Sequence, residues 1–264
     1  MRFKKIAALF VAFALLVYFS ANADTIAFFY ALDKDFEMLK TEAQPIGQSV
    51  KVGSRTIPVL LLNSHRVYAV KMESGAVETT ISAQALLARV HCDEAFSVGP
   101  IGELSGQLKV GTWYRVREII AYQKGSWTKT GFLFSESALR KLTNAPPQNR
   151  PELFQKLHDI KVASGEIFVA SDNYRAQLRE TIGADAVDMN LFGLVSVCAD
   201  HQLPLTCWRI VSDHANDNAS DDFKFFVSNY NGLGGKAVAE IIKNLPTNTS
   251  SPEAYPNLRR ILSQ

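Results

Sequence analysis

A serine and an aspartate directly follow an apolar stretch in the second half of the chain. Residues 205–211 read Leu-Thr-Cys-Trp-Arg-Ile-Val, which is typical of a buried strand, and Ser212 and Asp213 come next. Ligands of open α/β sheets bind at the carboxyl ends of the strands, so this position suits a reacting carboxyl group. A carboxyl group at such a position can donate a proton near neutral pH if burial raises its pKa toward neutrality. The same side chain could instead cap a helix over residues 216–222.

Two more carboxylates follow the first apolar stretch after the amino terminus. Asp33 and Asp35 come just after residues 25–32, at the point where the pattern changes from strand to helix. Either could work in a site at the end of that strand. Both also suit a solvated first turn of a helix, where the helix dipole favours negative charge. The residues alone leave both interpretations open.

Metal chemistry has no support in the sequence. The five histidines lack metal-ligand spacing, and no Cys-x-x-Cys motif accompanies them. We therefore expect neither a metal ion nor an organic cofactor. Cys198 and Cys207 lie in apolar surroundings, which favours burial as small hydrophobic residues, although an oxidising compartment would permit one disulfide.

Strand-like and helix-like stretches alternate along the chain, and this pattern positions the carboxylates. We predict strands over residues 25–32, 57–62, 67–72, 95–98, 113–122, 162–169 and 205–211, and helices over 33–43, 79–90, 174–182, 190–201 and 222–245, with an interruption at the glycines of 232–236. Such alternation predicts an α/β fold, a three-layer α/β/α sandwich around a central mixed sheet. The polar, proline-containing residues 141–151 are the one plausible linker, and they are too short to establish a domain boundary. We expect a single domain over residues 24–264.

The amino terminus has the three parts of a secretory signal. Arg2, Lys4 and Lys5 precede the apolar residues 6–18, and the small residues 20–23 follow. An apolar run of this length is short of the roughly 20 residues that span a bilayer. We expect cleavage after Ala23, which makes residues 1–23 a signal peptide, with no stable membrane insertion afterwards. The expected location is the periplasm or the exterior.

The overall charge excludes one class of partner. The chain has 264 residues, with 28 Lys and Arg against 26 Asp and Glu, and 47% of its residues are hydrophobic. The hydrophobic fraction is sufficient for a large core. The nearly balanced charge lacks the basic footprint of a nucleic-acid-binding protein, so no nucleic acid partner is expected.

Three blocks in the second half of the chain occur in a suggestive order. They are residues 163–168 (Ala-Ser-Gly-Glu-Ile-Phe), 186–190 (Ala-Val-Asp-Met-Asn) and 209–213 (Arg-Ile-Val-Ser-Asp). Together they resemble the purine nucleoside phosphorylase/nucleosidase superfamily, most of all the methylthioadenosine/S-adenosylhomocysteine nucleosidases. Weaker similarity extends to residues 31–35, 74–75, 99–102 and 108–111. The resemblance implies a nucleoside phosphorylase-like fold and a purine nucleoside as the bound small molecule.

The resemblance also implies roles for individual residues. Asp213 would protonate the leaving purine, with Ser212 orienting its carboxyl group. Phe168 would stack on the base, and backbone groups beside it, at Val169, would read the purine edge. The remaining residues that the resemblance places in the site are Met189 and Asn190 against the sugar and Gly99 in the loop that lines it.

Three positions depart from the family pattern. Asn190 stands where the family has a ribose-binding glutamate; it can bind one hydroxyl but lacks the charge, unless it only caps a helix. Asp35 aligns with the water-activating glutamate and is one methylene shorter, and Asp33 competes with it if the alignment shifts. Pro100 removes a backbone donor, and Glu103 would repel phosphate. Because residues 31–37 also lack the arginine and the glycine-rich loop of the phosphorylases, hydrolysis is favoured over phosphorolysis.

The resulting hypothesis is an exported nucleosidase that cleaves the N-ribosidic bond of a purine nucleoside such as adenosine or methylthioadenosine. Asp213 is the expected acid and Asp35 the expected base. The alternatives are a nucleoside-binding protein of the same fold with weak or lost catalysis, and a phosphorylase with an altered phosphate site. Family members are usually dimers or larger, so we expect a homodimer.

Overall fold

The apolar stretch that follows residue 24 forms a strand at the centre of the sheet. The computed structural model describes residues 24–143, 151–154 and 157–246, and in it β1 spans Thr25–Tyr30. Alternate residues of β1 belong to two separate cores: Ala27 and Phe29 to one, Ile26 and Phe28 to the other. Because successive side chains of a strand point to opposite faces, β1 is covered on both sides.

The sheet also contains β2 (Gln44–Val52), β3 (Arg55–Leu62), β4 (His65–Lys71), β5 (Glu94–Glu103), β6 (Trp113–Ala121), β9 (Leu139–Lys141), β10 (Asp159–Ser164), β11 (Ala186–Asp188) and β12 (Leu205–Asp213). Among the described residues, these strands and β1 make ten in one mixed sheet, in the order β11-β10-β6-β12-β5-β1-β4-β3-β2, with β9 added beside β6. A separate hairpin consists of β7 (Gly125–Thr128) and β8 (Gly131–Phe134).

The pairing of the strands brings three carboxyl ends together. β5 pairs in parallel with β1 on one side and with β12 on the other. β11 pairs with β10 and also, antiparallel, with the far end of β5, so that β5, β12, β6, β10 and β11 form a closed ring. The ends of β5, β11 and β12 therefore meet.

In the part of the chain that the structure describes, six α-helices cover the sheet: α1 (Asp33–Glu42), α2 (Ala76–Leu87), α3 (Asp172–Ile182), α4 (Leu191–Asp200), α5 (Ala219–Asn229) and α6 (Leu233–Lys243), with two short 3₁₀ helices at Glu136–Ala138 and Glu152–Phe154. α2 and α4 pack together over one core, and α1 and α6 pack together over the other. The predicted three-layer α/β/α sandwich around a mixed sheet is confirmed.

Three predicted boundaries differ from the structure. β5 does not end before Gly99 and Pro100 but continues to Glu103, since β12 pairs with it along this whole length. β10 ends at Ser164, and residues 165–171 leave the sheet. The predicted helix over 222–245 is two helices, and the break falls at Gly232, whose φ is +76°. The predicted interruption there is confirmed.

All three cysteines, Cys92, Cys198 and Cys207, lie buried in the core as free thiols, as their apolar neighbours indicate. Burial raises the pKa of Cys92 and of Cys198 to about 12, and that of Cys207 to about 11. Within the described residues, no helix is long and apolar enough to span a bilayer. The predicted signal peptide and most of the predicted linker lie outside the described residues.

The close packing of α6 on α1 predicts the effect of a substitution at Gly235. A Cβ atom built on Gly235 would collide with the backbone oxygen of Asp35. Gly235→Ala is therefore expected to lower the free energy of unfolding by about 3 kcal/mol or more, because one backbone must move away from the other. Urea denaturation measures this loss.

Gly183 provides the matched control. It has a φ of +60° and no neighbouring atom within 4 Å of a built Cβ, so Gly183→Ala should cost only the conformational strain of about 1 kcal/mol. Equal losses for the two variants would contradict the packing described here.

Candidate active site

A cavity of about 170 Å³ lies where the ends of β1, β5, β11 and β12 meet. Its wall is mostly apolar, with a few convergent polar groups, as is usual for small-molecule sites. The wall is formed by Ala31, Leu32, Met72, Ser74, Pro100, Ile101, Gly102, Ile167, Phe168, Val169, Val187, Asp188, Met189, Asn190, Ser212, Asp213 and Phe223. Asp213, Ser212, Phe168, Val169, Met189 and Asn190, which were predicted from the sequence, all lie in this wall.

Asp213 is a buried carboxyl group with both oxygens held. Oδ1 accepts a hydrogen bond from the backbone N–H of Ala215 at 2.9 Å, and Oδ2 lies 2.7 Å from the hydroxyl of Ser212. Burial raises the pKa of Asp213, and the bonds to Ser212 and Ala215 oppose this only in part. The side chain caps no helix, since α5 begins only at Ala219. A raised pKa favours the protonated form of the carboxyl group, which is the form that can donate a proton.

Gly102 fixes the position of that carboxyl group from behind. β12 pairs with β5 in a register that places Asp213 opposite Gly102. A Cβ atom built on Gly102 would lie 3.0 Å from Oδ1 of Asp213. The same Cβ would meet Ala215 at 3.2 Å and Val187 at 3.3 Å. The absence of a side chain at this position is therefore what lets the carboxyl group lie against β5.

Two aromatic rings stand at the open side of the cavity. The ring of Phe168 meets that of Phe223 edge to face, with 5.6 Å between centroids. Phe168 is 39% exposed, whereas the neighbouring Val169 is buried. An exposed ring beside a buried apolar wall provides a face on which a planar base can stack. Phe223 carried no sequence signal, because its position beside Phe168 depends on the fold.

The junction of β11 with α4 forms another part of the wall. Met189 and Asn190 line the cavity there, and the side chain of Asn190 makes no hydrogen bond that caps α4. The backbone N–H of Leu191 is bound instead by both carboxylate oxygens of Asp188, at 3.2 and 3.1 Å. The amide of Asn190 is therefore not used as the cap that the sequence left as an alternative.

Asp188 and Arg209 are two charged groups that sequence reasoning left without a role. Asp188 lines the cavity and is only 6% exposed, and Arg209 is completely buried in β12. Nη1 of Arg209 donates to the hydroxyl of Ser97 and to the carbonyl of Trp208, while Nε and Nη2 have no hydrogen-bond partner among the described residues. Burial raises the pKa of Asp188, and the charge of Arg209 opposes that rise. Asp188 lies in the block 186–190 and Arg209 in the block 209–213, so the family resemblance could have indicated both.

The structure does not bring Asp35 to the cavity wall. Its Oδ1 accepts hydrogen bonds from the hydroxyl of Tyr230 at 2.6 Å and from the backbone N–H of Gly235 at 3.0 Å, so the carboxyl group lies against the start of α6. The side chain is fully buried, and Oδ2 has no hydrogen-bond partner among the described residues. Burial raises the pKa of Asp35 to about 6. The competing Asp33 is exposed and pairs with Lys71.

Gly99, Pro100 and Glu103, which the sequence placed in a loop, belong to β5. Pro100 lines the cavity, whereas Gly99 lies behind the wall, where a Cβ atom would meet Ala31 at 3.0 Å. Glu103 is buried outside the wall, where it accepts hydrogen bonds from the backbone N–H groups of the turn that follows β5 and from the guanidinium of Arg175. Its charge is therefore neutralised by Arg175.

A mixed sheet between two helical layers, with a buried carboxyl group and an exposed aromatic ring at the ends of its strands, is the architecture of a nucleoside-phosphorylase-like α/β/α protein. The sequence pattern of the phosphorylase superfamily matches residues 25–243. The chain belongs to that superfamily.

The similar proteins include nucleosidases. An aminodeoxyfutalosine nucleosidase of Campylobacter jejuni is 24% identical over 189 residues, which are 69% of this chain and 82% of that protein. A 5′-methylthioadenosine/S-adenosylhomocysteine nucleosidase of Buchnera aphidicola is 24% identical over 203 residues, 72% of this chain and 79% of that protein.

Solved structures share the fold. The futalosine hydrolase of Helicobacter pylori has a TM-score of 0.72 at 16% identity, with 84% of this chain and 99% of that chain covered. The 5′-methylthioadenosine/S-adenosylhomocysteine nucleosidase of Neisseria meningitidis in complex with methylthio-immucillin-A has a TM-score of 0.70 at 21% identity, with 84% and 100% covered.

The buried carboxyl group of Asp35 predicts a pH dependence of stability. Its pKa in the folded protein, about 6, is above the ordinary value of 3.8, so folding favours the protonated form. Its contribution to stability is complete below pH 4 and is lost as the pH rises through 6. As the pH rises from 4 to 7, the wild type should therefore lose roughly 3 kcal/mol of its free energy of unfolding relative to Asp35→Asn, which has no carboxyl group to titrate at this position.

Urea denaturation at a series of pH values measures the difference between the two proteins. Asp33→Asn, an exposed carboxylate two residues earlier on the same helix, is the control for the loss of negative charge at the start of α1. A constant difference between wild type and Asp35→Asn across this range would show that the carboxyl group titrates as if exposed.

Proposed function

We propose that the protein is a nucleosidase that hydrolyses the N-ribosidic bond of a purine nucleoside to free base and sugar. The observation that carries this proposal is the buried, hydroxyl-oriented carboxyl group of Asp213 in the wall of a cavity with an aromatic platform. The names of the relatives, which are nucleosidases for methylthioadenosine, S-adenosylhomocysteine and aminodeoxyfutalosine, support the same reaction class.

The chemistry assigns Asp213 the role of the acid. A purine anion is a poor leaving group, so a ring nitrogen of the base has to gain a proton as the bond to the sugar breaks. The raised pKa of Asp213 keeps a proton available, and Ser212 fixes the direction in which the carboxyl group points. Phe168 provides the stacking surface for the base, and the backbone at Val169 lies beside it to read the purine edge.

The sugar is assigned to Met189 and Asn190. These residues lie next to each other in the cavity wall at the start of α4. The amide of Asn190, which makes no capping bond, can bind one sugar hydroxyl. Adenosine, methylthioadenosine and related nucleosides are the substrates we propose.

Hydrolysis is favoured over phosphorolysis by the part of the wall that β5 provides. Pro100 lines the cavity and has no N–H group to offer an anion. Among the described wall residues there is no arginine or lysine, so phosphate would have no cation to neutralise it.

Two observations favour a second candidate, a nucleoside-binding protein that has lost turnover. Asn190 lacks the negative charge that would stabilise a positively charged sugar, and the carboxyl group of Asp35 faces α6. Binding of a nucleoside without release of its base would identify this second function.

We also propose export and dimerisation. The signal-like residues 1–23 support a periplasmic or secreted location. Exposed apolar side chains support a homodimer: Trp127 of the β7–β8 hairpin is 83% exposed, and Leu133 of the same hairpin is also exposed.

The role of Asp213 is tested by release of free base from a panel of purine nucleosides, with and without added phosphate. Wild-type protein is expected to release base without phosphate, and Asp213→Asn to reduce the rate by at least about a hundredfold, because the amide cannot donate a comparable proton. Nucleoside binding should persist, since Asn can keep the bonds to Ser212 and Ala215.

Asp221→Asn, which alters an exposed carboxylate of α5, is the matched control and should turn over like the wild type. Turnover of a folded Asp213→Asn near the wild-type rate would eliminate Asp213 as the acid. Turnover that requires phosphate would identify a phosphorylase instead.

The export proposal has its own measurement. Protein recovered from the periplasm or the medium of an expressing bacterium is expected to begin at Asp24, and intact-mass analysis should show the loss of residues 1–23. A full-length chain retained in the membrane fraction would contradict cleavage.

A further inference from the structure

A hydrolase of this kind needs a group that accepts the proton of the attacking water, and the structure offers a candidate other than Asp35. Among the described residues of the cavity wall there are two carboxyl groups, those of Asp188 and Asp213. If the proposed function holds, Asp213 gives its proton to the leaving base. The same group cannot take up the water's proton in that step, so Asp188 is the carboxylate that is left.

Asp35 lies in the contact between α1 and α6 and does not line the cavity. Tyr230 and Gly235 bind its Oδ1, and its helix packs so closely on α6 that a Cβ atom built on Gly234 would lie 3.0 Å from the same oxygen. To reach the cavity the side chain would have to leave these donors and pass Ala31 and Leu32, which form the wall. These contacts hold Oδ1 at the start of α6, while Oδ2 has no hydrogen-bond partner among the described residues.

Several groups around Asp188 favour its ionised form. Its two oxygens receive the N–H of Leu191 at 3.2 and 3.1 Å, and the hydroxyl of Ser164 is a further donor to it. Ser164 accepts the N–H of Phe192 at 3.0 Å, which leaves its own proton free for Asp188. The buried guanidinium of Arg209 supplies a positive charge nearby. These groups oppose, in part, the rise in the pKa of Asp188 that burial causes.

The position of Asp188 also suits a sugar-directed role. It immediately precedes Met189 and Asn190, and Val187 pairs with Gly102, the residue that backs Asp213. The acid and the second carboxylate therefore lie on strands on either side of β5, at the same end of the sheet. In a substrate whose base meets Asp213 and whose sugar meets Asn190, the anomeric carbon joins those two parts, and Asp188 lines the same cavity directly before Met189 and Asn190.

We propose that Asp188 is the general base that activates the attacking water in this protein. The water oxygen forms a bond to the anomeric carbon as one of its protons passes to the carboxylate of Asp188. The bond from that carbon to the purine nitrogen breaks, its electron pair goes to the base, and the proton of Asp213 neutralises the base. Afterwards the proton on Asp188 leaves to solvent and Asp213 takes one up, so the cycle closes without another reactant.

The test compares the same substitution at the two aspartates, with any nucleoside that the wild type hydrolyses. Asp188→Asn is expected to lower kcat by at least about a hundredfold with KM changed by less than about threefold, whereas Asp35→Asn should keep kcat within about fivefold. In Asp188→Asn the amide oxygen of the new side chain can still cap α4, and thermal melting establishes that each variant is folded. Asp221→Asn serves as the surface control.

Two further measurements separate a base from a structural cap. Formate added to Asp188→Ala should restore part of the lost turnover, because a small carboxylate can occupy the space, while formate should not change Asp35→Ala. Ser164→Ala removes one donor from Asp188 and should move the ascending limb of the kcat pH profile to higher pH. Both readouts remain available if Asp188→Asn folds poorly.

Each result decides one question. A wild type that releases no base from any nucleoside overturns the proposed function. A wild type that turns over while folded Asp188→Asn keeps its kcat, or while Asp35→Asn loses a hundredfold and Asp188→Asn does not, overturns the assignment of Asp188 alone. Loss at Asp188 with rescue by formate supports it.

Discussion

A guanidinium that is completely buried in the sheet has to be neutralised, and much of the site follows from this one requirement. Arg209 lies in β12, where every residue is buried, and its charge acts on Asp35 of α1 and on Asp188 of β11. An unpaired buried charge would cost several kcal/mol, and the charge of Arg209 opposes the rise that burial causes in the pKa of both carboxyl groups. β12, which carries Arg209, and β11, which carries Asp188, both pair with the end of β5, where the cavity lies.

The carboxyl groups of Asp35 and Asp188 lie in different surroundings. Tyr230 and the start of α6 enclose Asp35 in the second core. Asp188 faces the cavity, although it also caps α4. A departure from the family pattern at Asp35 is therefore more than the loss of one methylene, because the shorter side chain takes part in the contact between α1 and α6. The same core requires glycine at Gly235, where the two backbones touch.

Most of the fold and part of the site could be predicted from the sequence. Nearly continuous burial along β1, β5 and β12 produces apolar stretches that are easy to recognise, and Ser212 and Asp213, which follow the predicted strand over 205–211, lie in the cavity wall. The hairpin β7–β8 and the short strand β11 have no such pattern and were not predicted. The orientation of Asp35 depends on Tyr230, which is 195 residues away in the sequence, so no local signal reports it. Pro100 indicated the end of a strand, but pairing with β12 on one side and β11 on the other carries β5 past it.

The burial of the three thiols bears on how such a chain matures. Reaction with a disulfide requires a thiolate, and Cys92, Cys198 and Cys207 are held as neutral thiols inside the core by their raised pKa values. Burial and a raised pKa both slow the reaction of these thiols with an oxidant while the protein is folded. The unfolded chain has three ordinary cysteines and no such protection. If the protein is exported, folding has to bury these side chains before they are oxidised. Variants that fold slowly should therefore accumulate as mispaired disulfide forms even when their native state is stable.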